Sequence, residues 1–177
     1  MSELTELRGN EIAAALIPTT VTLITARDAD GDDKVATIAW AMPISHEPSL
    51  IAVAIRPGGQ TSTAMASSGC FTVNVLPADG GEMAVVCGKK RGVDDRVAQA
   101  GLALLDARCI DASRVEQAVS WIECEVVEHA VHGDHELFIG RTLLAETRGS
   151  LDGNGKLVPE APLLMGQRGC FGHFEED

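Results

Sequence analysis

Four stretches of this chain hold residue types that could do chemistry together. The first is Gln60-Thr61-Ser62, which follows Gly58-Gly59 at the predicted start of a helix. Exposed N–H groups, the helix dipole and two hydroxyls make an anion site. The same pattern also serves as plain N-capping. The second is Lys89-Lys90-Arg91, the densest basic run, set between Gly88 and Gly92. Flanking glycines allow close backbone approach to an anion, whereas most charge runs are solvated loops. The third is Trp40 to Ser45. Pro43 breaks regular strand pairing there, so nearby backbone N–H groups can face a ligand. Trp40, Met42 and Pro43 add apolar surface, and Ser45 adds a hydroxyl. An edge strand with core Trp and Met accounts for the same residues. The fourth is His135, beside a turn, where a histidine is either an ordinary surface group or a catalytic one. His129, His132 and His135 do not read as a metal site. On a strand, a spacing of three throws side chains to opposite faces.

The elements that carry these residues are mostly strands. Leu4 to Ile17 has helical character and ends before Pro18. TTVTLITARD is β-branched and alternating, DADGDD is a turn, and KVATIAWAMPIS returns as the next strand, broken at Pro43. SLIAVAIRP is a buried strand. TSTAMASSG is a short helix closed by Gly69. CFTVNVLP is the clearest strand. GGEMAVVCG and DDRVAQAG read as two short helices around the basic loop. The stretch from Ala118 to Ser150 reads as a long hairpin that turns near His132-Gly133-Asp134, followed by a turn-rich loop and a last strand broken by glycines. About seven strands with few helices predict a barrel, not a doubly wound α/β sheet. No G-x-G-x-x-G follows a strand, which argues against a Rossmann dinucleotide site.

The 177 residues, with no internal repeat or linker, predict a single domain spanning 1–177. The chain carries 14 basic and 26 acidic residues, a net charge of −12. Such a body repels nucleic-acid phosphates and anionic membrane surfaces. No apolar run approaches the roughly 20 residues that span a bilayer. The N-terminus lacks the basic and apolar regions of a signal peptide, so a cytoplasmic location is expected. Five widely spaced cysteines with no C-x-x-C pair predict neither a disulfide framework nor a zinc ribbon. Tyrosine is absent and aromatics make up 3%, too few for a base-stacking platform.

The segments WAMPISHEPSLIAVAI, GGQTST, GCFTVNVL, CGKKRGVDDR and ECEVVEHAVHGDHELFIG, in that order and spacing, resemble the flavin-reductase-like FMN-binding proteins, flavoredoxin being one relative. The resemblance runs from about Pro18 to Phe174. It implies a mainly β fold: a six-stranded split β-barrel of Greek-key topology with a few peripheral short helices. It further implies a homodimer holding FMN, with NADH or NADPH as electron donor. The acceptor would be free flavin, a metal chelate or a partner oxygenase. A non-catalytic electron carrier or flavin store is the alternative, and the wider fold also hosts pyridoxal-phosphate oxidation and haem handling.

The resemblance also assigns roles. Trp40, Met42, Pro43, Ile44 and Ser45 would line the flavin ring. Gln60, Thr61 and Ser62 would meet the phosphate, as would Gly88, Lys89 and Arg91. Arg96 stands where relatives often show lysine, and Gln60 where they often show a basic or aromatic residue. His135 would sit on the open face of the flavin, orienting the nicotinamide or polarising the ring, since the cofactors carry the hydride chemistry. Asn74 would be either an internal brace or a flavin contact.

Overall fold

β-Branched alternation decides where most of the strands form. The structure is a computed structural model that describes residues 4–89, 95–166 and 170–173. In chain order the first strands are β1 (Thr19–Thr20), β2 (Thr22–Arg27), β3 (Asp33–Ile38), β4 (Ala41–His46) and β5 (Ser49–Ile55). Helix α1 (Gln60–Ser68) leads to β6 (Cys70–Val75), then to α2 (Gly81–Cys87) and α3 (Arg96–Gln99). Two three-residue strands follow, β7 (Leu104–Asp106) and β8 (Ser113–Val115), and then the long hairpin β9 (Ser120–His132) and β10 (His135–Thr147). Short strands β11 (Gly149–Leu151), β12 (Leu157–Pro159), β13 (Leu164–Met165) and β14 (Phe171–Gly172) complete the described chain.

The main sheet has seven strands in the order β3-β2-β6-β9-β10-β5-β4. Its two edge strands, β3 and β4, are consecutive in the chain and joined only by Ala39 and Trp40. The sheet must therefore curl until its edges meet, which makes a barrel with an unpaired seam. This is the split barrel that the resemblance implies. The strand count exceeds six because KVATIAWAMPIS, predicted as one strand, crosses the seam and serves both edges. Long connections place β6 beside β2 and β9 beside β6, the non-sequential order of a Greek key.

One core cluster draws on β2, β3, β5, β6, β9 and β10, with Ile24, Val53, Phe71, Val73 and Phe138 at its centre. Helix α1 adds Ala64 and Met65 to it. Strand neighbours of these residues point the other way. Val21, Leu23, Val35 and Leu76 pack against Ala84, Cys87, Val115 and Leu163 in a second cluster under α2. Each fully buried large side chain contributes about 1.5–3 kcal/mol. Gly140, the last residue of GDHELFIG, is there for packing: a Cβ would lie 2.5 Å from the Phe71 ring. The N-terminal segment departs from expectation. Gly9–Leu16 is a 3₁₀ run, not an α-helix, and Ile12 and Leu16 face solvent. Gly9, at φ +52°, separates residues 4–8, which form no helix, from this run.

Buried polar groups tie the short strands to the barrel. Asn74 is fully buried. Its amide donates to the carbonyls of Leu23 (2.9 Å) and Thr72 (3.3 Å) and to the Thr25 hydroxyl (3.0 Å), and its Oδ1 accepts from Val115 N–H (2.8 Å). Asn74 is thus the internal brace. Glu123, also fully buried, accepts from the backbone N–H groups of Arg108 (2.8 Å) and Cys109 (2.6 Å) and from Arg114 Nε (2.6 Å). Arg114 Nη1 reaches Glu146 at 2.5 Å, and Arg108 reaches the same carboxylate at 2.6 Å.

Three carboxyls are held below the usual carboxylate range: Asp28 by Lys34, Asp134 by His135, and Glu146 by Arg114. Their stabilisation is complete above the unfolded-state values of about 4 and is lost as pH falls through the lower folded values. Thermal unfolding midpoints are therefore expected to hold steady from pH 6 down to about 5 and then fall. Glu146→Gln should remove part of that fall. A midpoint independent of pH below this range would contradict the assignment.

Candidate functional site

Strand β4 is an edge strand, paired only with β5 among the described residues. An edge strand turns alternate N–H and C=O groups away from its neighbour, and the register shift between Pro43 and Ser45 leaves Ile44 out of the ladder. Trp40, Met42 and Ile44 are 48%, 62% and 44% exposed, a contiguous apolar strip on one edge. Ser45 is half-buried opposite Leu50.

Register brings His135 to this strip. The Trp40 carbonyl accepts from Ala54 N–H at 2.9 Å, and Ala54 lies opposite Leu137 of β10. His135 precedes Leu137 by two residues and so shares its face. The Trp40 and His135 rings lie 4.7 Å apart, tilted by 41°. Asp134 Oδ1 lies 2.8 Å from His135 Nδ1. His129 instead bonds Glu136 at 2.8 Å and stacks on Phe138 at 5.0 Å.

The predicted anion site lies at the same end of β5. That strand ends at Ile55, Gly58 makes the turn with φ +72°, and α1 starts at Gln60. Ser62 Oγ accepts from Gly59 N–H and donates to the Gly59 carbonyl, each at 3.0 Å, so this hydroxyl is engaged in capping. Thr61 is different. It is 2% exposed, and its Oγ1 has no hydrogen-bond partner among the described residues. Gln60, at the first position of α1, is exposed beside it.

Of the basic residues, Arg91 lies outside the described residues, as does Lys90. Lys89 is exposed, and Gly88 caps α2 close to Thr37. Arg96 donates to the carbonyls of Val35 (3.1 Å) and Lys89 (2.7 Å), while its buried Nε has no partner among the described residues. A cavity of about 400 Å³ opens here, lined by Lys34, Gln60, Asp95, Arg96 and Leu104 among others. Lys34 escaped the sequence reading because it is isolated in the chain. It is held by Asp28 (3.0 Å) and Asp32 (3.2 Å). Burial pushes the Cys87 thiol up to about 11 and the Cys124 thiol up to about 12, so both are inert packing groups.

Residues 14–172 match the model of the flavin reductase like domain. The chain belongs to the flavin reductase-like family. A probable flavin reductase of Rhizobium meliloti is 30% identical over 87% of this chain, which spans 48% of that relative. An NADH-dependent FMN reductase of Streptomyces nodosus is 27% identical over 73% of this chain and 69% of its own length. Among archaeal relatives, the match covers 66% of one from Pyrococcus abyssi and 40% of one from Aeropyrum pernix. The structure of flavoredoxin from Desulfovibrio vulgaris superposes with a TM-score of 0.83 at 22% identity, covering 100% of this chain and 95% of that one. The last likeness establishes the fold.

The residues present fit FMN. A phosphate suits the orphaned Thr61 hydroxyl, the N–H groups that open α1, and Arg96. A flat ring suits the exposed strip of Trp40, Met42 and Ile44, beside a strand edge that offers backbone donors and acceptors.

Proposed function

We propose that this protein is an FMN-dependent oxidoreductase that takes electrons from NADH or NADPH and passes them to free flavin, a metal chelate or a partner oxygenase. The observation that carries the reading is a convergence at the end of β5. The strip ending at Trp40, the Trp40–His135 contact and the start of α1 all meet there. Thr61, Gln60 and the backbone N–H of Ser62 hold the phosphate with Arg96, and Lys89 adds charge on that side, with Gly88 allowing the approach. Trp40 to Ser45 line the ring and exclude water from one side. His135, oriented by Asp134, faces the nicotinamide. Bound FMN supplies the acceptor for the hydride. The apolar edge of β4 is covered by a second copy of the chain in a homodimer.

The test is spectroscopic. Purified protein is titrated with FMN and then mixed anaerobically with NADH or NADPH in a stopped-flow instrument. Uptake of FMN followed by rapid bleaching is the expected result, and His135→Ala, which loses a group that orients the nicotinamide, should slow the bleaching by about 10²-fold without loss of FMN. Absence of FMN uptake would overturn the reading. Bleaching by dithionite alone would leave a carrier or flavin store.

A further inference from the structure

We propose that Arg56 is the docking cation for the pyrophosphate of the reduced nicotinamide coenzyme, held next to His135 by Asp134. The inference rests on the reading of His135 given above.

Strand register puts the two residues together. The last ladder pair between β5 and β10 is Ile55 with Glu136. One step further, Arg56 comes opposite His135, and opposed residues share a face of the sheet. Asp134 links them. Its Oδ1 is 2.8 Å from His135 Nδ1, and its Oδ2 is 3.5 Å from Arg56 Nη1. The first contact is a close hydrogen bond and the second is a long one. The Arg56 side chain is 55% exposed and makes this one ion pair among the described residues. Most of its five donors are therefore available.

The charge balance favours such a cation. A protein of net charge −12 repels a coenzyme that carries a pyrophosphate. Two other described cations are engaged elsewhere. Lys34 is held by Asp28 and Asp32, and Arg96 by two carbonyls on the phosphate side of α1. A guanidinium grips two phosphate oxygens in a fork, a geometry that outcompetes a single 3.5 Å contact to Asp134. The adjacent carboxylate keeps Arg56 at the site when no coenzyme is present.

FMN-loaded protein is mixed anaerobically with increasing NADH, and reduction of the bound flavin is followed. Arg56→Gln is expected to raise the half-saturating NADH concentration about tenfold or more, with the limiting rate at saturation retained. Arg56→Lys should fall between the two, since it keeps the charge without the fork. Added salt should weaken NADH binding in the unchanged protein and much less in Arg56→Gln. Arg141→Gln provides the control for net charge. Arg141 pairs with Leu50, six positions back along β5 from Arg56 and roughly 20 Å away. That variant should saturate like the parent.

Equal half-saturation in Arg56→Gln and parent would overturn the inference and leave the oxidoreductase reading standing. So would a rise in the FMN dissociation constant alone, which would assign Arg56 to the flavin phosphate. Failure of NADH and NADPH to reduce the FMN of the unchanged protein would overturn both.

Discussion

Glu123→Leu is expected to destabilise the protein by about 3–5 kcal/mol, the largest effect of any single substitution considered. Glu123 is fully buried and meets two backbone N–H groups and the Arg114 guanidinium. Leucine fills similar space but accepts no hydrogen bond. Arg114, whose side chain is 10% exposed, would keep only Glu146 as a carboxylate partner. The N–H groups of Arg108 and Cys109 would lose their acceptor as well, and each such buried loss costs about 1–3 kcal/mol. The loop between β7 and β8 should then loosen. At about 2–4 °C per kcal/mol for a chain of this size, the thermal midpoint should fall by about 10 °C. Glu146→Gln, at a partly exposed position, should lose far less. A drop below about 1 kcal/mol in Glu123→Leu would mean that Arg114 swings out to water and that the network is dispensable.

That network shows where sequence reading stops. Glu123, Arg114 and Glu146 carry no local pattern, and only the pairing of β9 with β10 and the docking of β8 bring them together. The strand Cys70–Val75 was legible because apolar Phe71, Val73 and Val75 alternate with polar Thr72 and Asn74, although Thr72 and Asn74 are as buried as Phe71 and Val73. The hairpin turning at Gly133 was legible for a related reason: a glycine at φ +63° sits between two β-rich runs. The seam was not. Nothing in KVATIAWAMPIS marks Trp40 as the point where the chain leaves one sheet edge for the other, because both halves are equally good strands. The three-residue strands β7 and β8 were missed because a period of two cannot be read from three residues. Within the candidate site, residue types were legible and alignments were not. The closeness of Trp40 to His135, and of Arg56 to Asp134, follows from strand register, a non-local property. Thr61 and Ser62 look equivalent in sequence, and only the folded chain shows that one hydroxyl is engaged and the other is not.

That difference leads to the second large expected effect. Thr61→Val should weaken FMN binding about tenfold or more, because a hydrogen bond to a charged group contributes about 1.5–3 kcal/mol. Valine has nearly the shape of threonine, and both are β-branched, so α1 should keep its start. Folding stability without FMN should stay the same or rise slightly, since the substitution removes a buried hydroxyl that has no partner among the described residues. FMN affinity thus falls without a loss of stability, a combination that a packing defect could not produce. Thr61→Ser keeps the donor and should bind FMN nearly as the parent does. Riboflavin lacks the phosphate, so its affinity should be equal for Thr61→Val and the parent. Titration by quenching of flavin fluorescence, with thermal unfolding of the same FMN-free samples, measures all of these. An unchanged FMN affinity together with lowered stability would make Thr61 a structural residue and would leave phosphate binding to the N–H groups of α1 and to Arg96.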